Sequence, residues 1–150
     1  MMGARTADLS GWAGQLSQKP LGYGANCGAG AADLVRTLLE FRHTAIGLPI
    51  IAKGNAGIPR FVGGQVHYDG SPDLMADYAE LALRAGAGVI GGCCGTGPEH
   101  LQKMRARLEA APAGPPPEPE EIIARLGRFS TAGPRKPPRS RARKSRRQAR

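Results

Sequence analysis

Between residues 20 and 111 the chain repeats one pattern three times: a short apolar run, a glycine-rich turn, then a stretch of helical periodicity. The apolar runs are Pro20 to Cys27, Leu48 to Lys53 and Ala87 to Gly92. The first helical stretch, Ala31 to His43, carries Leu34, Val35, Leu38, Leu39 and Phe41 at helical spacing, with Asp33, Arg36, Glu40 and Arg42 mostly between them. The second begins at Ser71-Pro72-Asp73, where Ser is a ready N-cap and Pro suits the first helical position. Leu74, Tyr78, Leu81 and Ala85 then share a face, and Gly86 is the stop. The third, Pro98 to Ala111, is expected to turn Leu101, Met104 and Leu108 inward. Repeated strand–helix units imply a parallel sheet joined by right-handed crossovers. In such folds, whether closed (β/α)8 barrels or open α/β sheets, the site lies at the C-terminal ends of the strands.

All three cysteines fall at those ends. Cys27 closes the first run, and Cys93 and Cys94 close the third, between Gly91-Gly92 and Gly95. The vicinal pair faces a helix start at Pro98-Glu99, where backbone N–H groups and the dipole favour a thiolate over a thiol. A buried cysteine pair is ordinarily small apolar filler. A third cysteine at an equivalent strand end shifts the balance. Three thiolates without a fourth protein ligand match a zinc site that keeps one position open for substrate. Asn26, Asn55 and Gly92 stand beside the cysteines or at the end of the second run; the asparagines either orient ligands by hydrogen bonding or serve turns. Asn55 could also offer its oxygen near the metal when substrate is absent. No catalytic residue beyond the metal site is assigned. His100, one helical turn past the pair, reads as a packing residue, His43 suits a helix C-terminus, and His67 carries no assignment. Gly22-Tyr23-Gly24 opens like a dinucleotide fingerprint, but Cys27 occupies the third glycine's place and no acidic partner follows, so a nucleotide site is rejected.

The flanks are of another kind. Residues 1–19 are weakly periodic, with a short helix expected at Ala7 to Ala13, and read as a linker or remnant of an upstream unit. Residues 112–132 form a proline-rich linker with one more amphipathic turn or two at Glu120 to Leu126. Residues 133–150 hold nine basic side chains and no acidic one, so the +9 net charge belongs to this tail and residues 1–132 are formally neutral. The tail is expected to be disordered. Without interleaved aromatics it reads as a solvated appendage rather than a nucleic-acid surface, although a protein acting on nucleic acid through this tail is the rival from another class. An odd cysteine count, no signal peptide and no membrane-spanning run point to a reducing cytoplasm and no membrane.

Gly24-Ala25-Asn26-Cys27, Asn55-Ala56-Gly57 with Pro59, and Gly91-Gly92-Cys93-Cys94-Gly95-Thr96 with Pro98-Glu99-His100 resemble the C-terminal part of the homocysteine S-methyltransferase family, over roughly residues 20–111. The family includes betaine–homocysteine methyltransferases and the homocysteine-binding domain of cobalamin-dependent methionine synthase. The resemblance implies a (β/α)8 TIM barrel, a catalytic zinc on Cys27, Cys93 and Cys94, and methyl transfer to homocysteine giving methionine, with betaine or a similar molecule as donor. The family usually has Thr where this chain has Gly97, a change at a helix cap rather than at a ligand. A barrel needs about 250 residues. This chain resembles only its last three βα units, the sixth to eighth, so a truncated gene product, one half of a split enzyme or a mis-started reading frame is expected, with a separately encoded N-terminal barrel half as a partner in the split case. A zinc-binding remnant that is catalytically incomplete is the other reading of the same resemblance.

Overall fold

The computed structural model describes residues 5–110 and 114–130. The basic tail at 133–150 therefore lies outside the described residues. The elements run α1 (Thr6–Gln15), β1 (Tyr23–Asn26), α2 (Ala31–His43), β2 (Ile50–Gly54), β3 (Arg60–Val62), β4 (Gln65–His67), α3 (Pro72–Arg84), β5 (Ala87–Gly92), α4 (Pro98–Ala110) and α5 (Pro119–Leu126).

β1, β2 and β5 form a parallel sheet in that order, with β2 central. Adding each strand on the same side through a right-handed crossover places the connecting helices on one face. Burial along β2 agrees: Ile50, Ala52 and Gly54 are buried, whereas Ile51 and Lys53 on the opposite face are progressively more open. The core lies between the covered face and the helices, where Val35, Leu38 and Phe41 of α2 and Met75, Tyr78 and Leu81 of α3 are fully or almost fully buried. Phe41 meets Tyr23 edge-on at 5.3 Å between ring centroids, tying α2 to the first strand. α2 spans the expected residues because its apolar stripe runs without interruption from Leu34 to Phe41. α3 starts as Ser71 predicts, with the Ser71 hydroxyl accepting from the Leu74 N–H at 3.2 Å.

Two flanking segments are built onto this unit. α1 lies across α2, with Ala13 buried and the Ser10 and Thr44 hydroxyls 3.0 Å apart. α5 buries Ile122 and joins α3 through ions: Arg125 bridges Asp77 and Glu80, and Arg84 grips Glu121 in a two-pronged pair.

Two expectations need correction. The first strand is shorter than its apolar run, because parallel pairing begins only where Tyr23 meets Ile50. On α4 only Met104 is buried; Leu101 is 50% exposed, because β5 ends the sheet and no described element follows to cover that side.

Candidate metal centre

The sheet register brings both cysteine loops to one rim. Asn26 pairs with Lys53, and Lys53 and Gly54 pair with Gly91 and Gly92, so the chain leaves β1 and β5 at the same level. The end of β2 then holds both loops by main-chain bonds. The Cys27 N–H donates to the Lys53 carbonyl at 2.9 Å, the Cys93 N–H to Gly54 at 2.7 Å, and the Ala56 N–H back to Cys94 at 2.9 Å.

The three sulfurs meet there. Cys27 Sγ lies 3.7 Å from Cys94 Sγ, Cys93 Sγ lies 3.9 Å from Cys94 Sγ, and all three fall within 4.8 Å of one another. Zinc–sulfur bonds of about 2.3 Å in a tetrahedron put neighbouring sulfurs about 3.8 Å apart, so the two shorter separations match the edge of a zinc-thiolate tetrahedron. They are far longer than a disulfide bond, and all three cysteines are free. The donor set is all sulfur, which suits zinc and other thiophilic ions rather than magnesium or calcium.

Backbone conformation contributes to the convergence. Cys27 has φ +62°, the one non-glycine residue in the left-handed region among the described residues. That conformation costs about 1–2 kcal/mol for an L-residue, and it falls where the chain leaves β1. Gly92 has no room for a side chain, since an added Cβ would collide with Thr96. Its role is steric, in the tight turn that presents Cys93 and Cys94.

Asn55 is 1% exposed and links the two loops. Its Nδ2 donates to the Gly28 carbonyl at 3.1 Å and its Oδ1 accepts from the Cys94 N–H at 3.2 Å, so neighbours on both sides fix the amide orientation. The Asn26 amide approaches Cys93 Sγ at 3.9 Å. Electrostatics divide the sulfurs. The Asn55 amide, followed by the Cys94 thiol, holds Cys27 below its ordinary value. The Tyr68 hydroxyl favours the Cys94 thiolate, but the neighbouring Cys27 and Cys93 sulfurs outweigh it and push Cys94 up.

His100 stays out of the cluster. Its Nδ1 accepts from the Gly97 N–H at 3.1 Å, capping α4, and its Nε2 bonds the Gly70 carbonyl at 2.9 Å, which makes Nε2 the protonated nitrogen. Tyr68 is the site residue that sequence reasoning missed. It follows β4, where no periodicity marks it, and only folding brings its ring against Gly95, next to Cys94.

The structure is thus a singly wound α/β unit with three thiols clustered at its strand ends. The family model for homocysteine S-methyltransferase matches residues 2–108. The chain is also 32% identical over 110 residues, 70% of its length, to the methionine synthase of Mycobacterium leprae (strain TN), and that match spans 9% of the relative. The chain belongs to the homocysteine S-methyltransferase family. No helix among the described residues is long and apolar enough to cross a membrane.

Proposed function

We propose that this chain is the zinc-binding, homocysteine-binding portion of a homocysteine S-methyltransferase barrel. The observation carrying this reading is the convergence of Cys27, Cys93 and Cys94 at separations that suit one tetrahedral ion. Bound by these residues, zinc would supply Lewis-acid stabilisation of a substrate thiolate near neutral pH, with its fourth position left to homocysteine. The chain's own residues do the rest of the preparation. Asn55 locks the Cys27 loop to the Cys94 loop, and Asn26 offers a neutral donor to Cys93 in a crowded set of negative sulfurs. In the reaction, the homocysteine sulfur forms a bond to the methyl carbon and the donor departs with the electron pair of the broken bond. Betaine, or a donor like it, is the proposed methyl source.

The unit's shape supports an assembled rather than a solitary enzyme. A singly wound parallel sheet continues naturally into a closed barrel, and here both β1 and β5 carry an unpaired edge among the described residues. Ile51 and Lys53 face the uncovered side, and Leu101 is open next to β5. A separately supplied N-terminal barrel half is the proposed partner. The same open edges favour the second reading, a zinc-binding remnant with no turnover of its own.

Metal analysis of the purified full chain tests the first step: one zinc per chain is expected, and its loss in Cys94→Ser. Methionine formation, assayed with and without an N-terminal half from the same family, separates enzyme from remnant. A parent chain without zinc, or one unaffected by Cys94→Ser, overturns the proposal.

A further inference from the structure

The turn that carries Cys94 is framed by a ring of hydrogen bonds, and the His100 side chain closes it. The Cys94 carbonyl accepts from the Ala56 N–H at 2.9 Å, and the Ala56 carbonyl accepts from the Gly70 N–H at 2.9 Å. The Gly70 carbonyl accepts from His100 Nε2 at 2.9 Å, and His100 Nδ1 accepts from the Gly97 N–H at 3.1 Å. From Gly97 the main chain runs back through Thr96 and Gly95 to Cys94. Only the neutral imidazole with its proton on Nε2 makes both of the His100 bonds.

The ring is tight where it crosses between loops. Gly70 and Ala56 are both buried, and a Cβ added to Gly70 would collide with the Ala56 carbonyl carbon. His100 is the third residue of α4, a position from which a Glu or Gln side chain commonly reaches back to the N-cap N–H. The imidazole does this for Gly97, which has no side chain with which to cap. Capping needs only one ring nitrogen. The other reaches a residue 30 positions away and ties the start of α4 to the segment that follows β4. Asn55 Oδ1 accepts from the Cys94 N–H, so both main-chain groups of Cys94 are held, and His100 holds the frame around them.

We propose that His100 is a positioning residue for the metal centre: by joining Gly97 to Gly70 it fixes the turn that sets Cys94 beside Cys27, and so raises metal affinity without being a ligand. The proposal rests on the reading of the three cysteines as a zinc site. Groups that orient metal ligands from behind commonly carry about 10-fold or more of the affinity.

The test uses the full-length chain, with zinc affinity measured by chelator competition and the d–d band of bound cobalt(II) reporting the angles among the sulfurs. His100→Ala opens the ring at both links; its zinc affinity is expected to fall about 10-fold, and its cobalt band to shift. His100→Gln sets an amide N–H donor where Nε2 stands and is expected to recover most of the affinity. His100→Asn retains only an acceptor for Gly97 and is expected to resemble alanine. Ile122→Ala, a cavity in the fully buried part of α5, is the stability control: its melting temperature falls and its affinity stays that of the parent. If His100→Ala or His100→Asn matches the parent in affinity and band, His100 only caps α4 and the role is overturned. It is equally overturned if Ile122→Ala loses as much affinity, because the loss then follows global stability. A parent chain that takes up neither zinc nor cobalt overturns the metal reading itself and the His100 role with it, so the two failures are distinguishable.

Discussion

Replacing Asn55 by alanine removes a buried side chain that ties the Cys27 loop to the Cys94 loop. Two hydrogen bonds disappear, one to the Gly28 carbonyl at 3.1 Å and one from the Cys94 N–H at 3.2 Å. Gly28 is exposed, so water can replace the lost donor, and that bond costs only its net value of about 0.5–1 kcal/mol. The Cys94 N–H sits in a half-buried turn facing the site Asn55 occupies, and leaving it without an acceptor costs about 1–2 kcal/mol. The sum, about 2 kcal/mol, is a sizeable part of the 5–15 kcal/mol expected for a domain and corresponds to a melting-temperature drop of about 8 °C. Asn55→Asp is the informative companion. It retains the acceptor for Cys94, but sets a carboxylate oxygen against the Gly28 carbonyl and a negative charge beside three sulfurs. At pH 8 it is expected to be at least as destabilising as alanine, although it is nearly isosteric. Urea unfolding of parent and both variants in chelator measures the structural part without metal. If both variants stay within about 0.5 kcal/mol of the parent, the range of an ordinary surface change, the two loops are held by the main chain alone and the bridging argument fails.

The remaining expectations concern charge and assembly. Arg125, and then Arg107, hold Glu80 at about 2, below its ordinary 4.5. A depressed folded-state value means that the Glu80 contribution is complete above pH 4.5 and is lost as the pH falls toward 2. Urea midpoints of the parent are expected to decline across that window, and less steeply in Arg125→Met; equal slopes would remove the ion pair from the explanation. Leu101→Asp, at a half-exposed position, is expected to change the stability of the isolated chain by less than about 0.5 kcal/mol. The same change should abolish co-purification with an added N-terminal barrel half, and undiminished co-purification would show that the partner docks elsewhere.

Much of the fold was legible because local rules and the global arrangement agree. The α2 stripe, the Ser71-Pro72 start and the glycines after β5 each specify their own element, and the boundaries of α2 and β5 fall where the periodicity puts them. The place of the cysteines at strand ends was legible for the same reason. Residues whose role depends on what lies across the rim were not. Leu101 has the spacing of a core residue, but burial needs a neighbour that the described residues do not provide. Asn55 was left between a turn and a ligand-orienting role, and only the approach of two loops distant in sequence shows it bonded to both. Tyr68 gave no signal at all.

The sequence by itself determined the strand–helix repeat, the parallel sheet and the three thiols at its C-terminal edge, because each is written in short-range patterns of apolar spacing, caps and glycines. The tertiary structure decided that the sulfurs meet within 4.8 Å, that Asn55 bridges the two loops beside them, and that β1 and β5 are edge strands among the described residues. Those are facts of register and crossover handedness. They bring together sulfurs 67 positions apart in the chain, those of Cys27 and Cys94, a relation that no local pattern can encode.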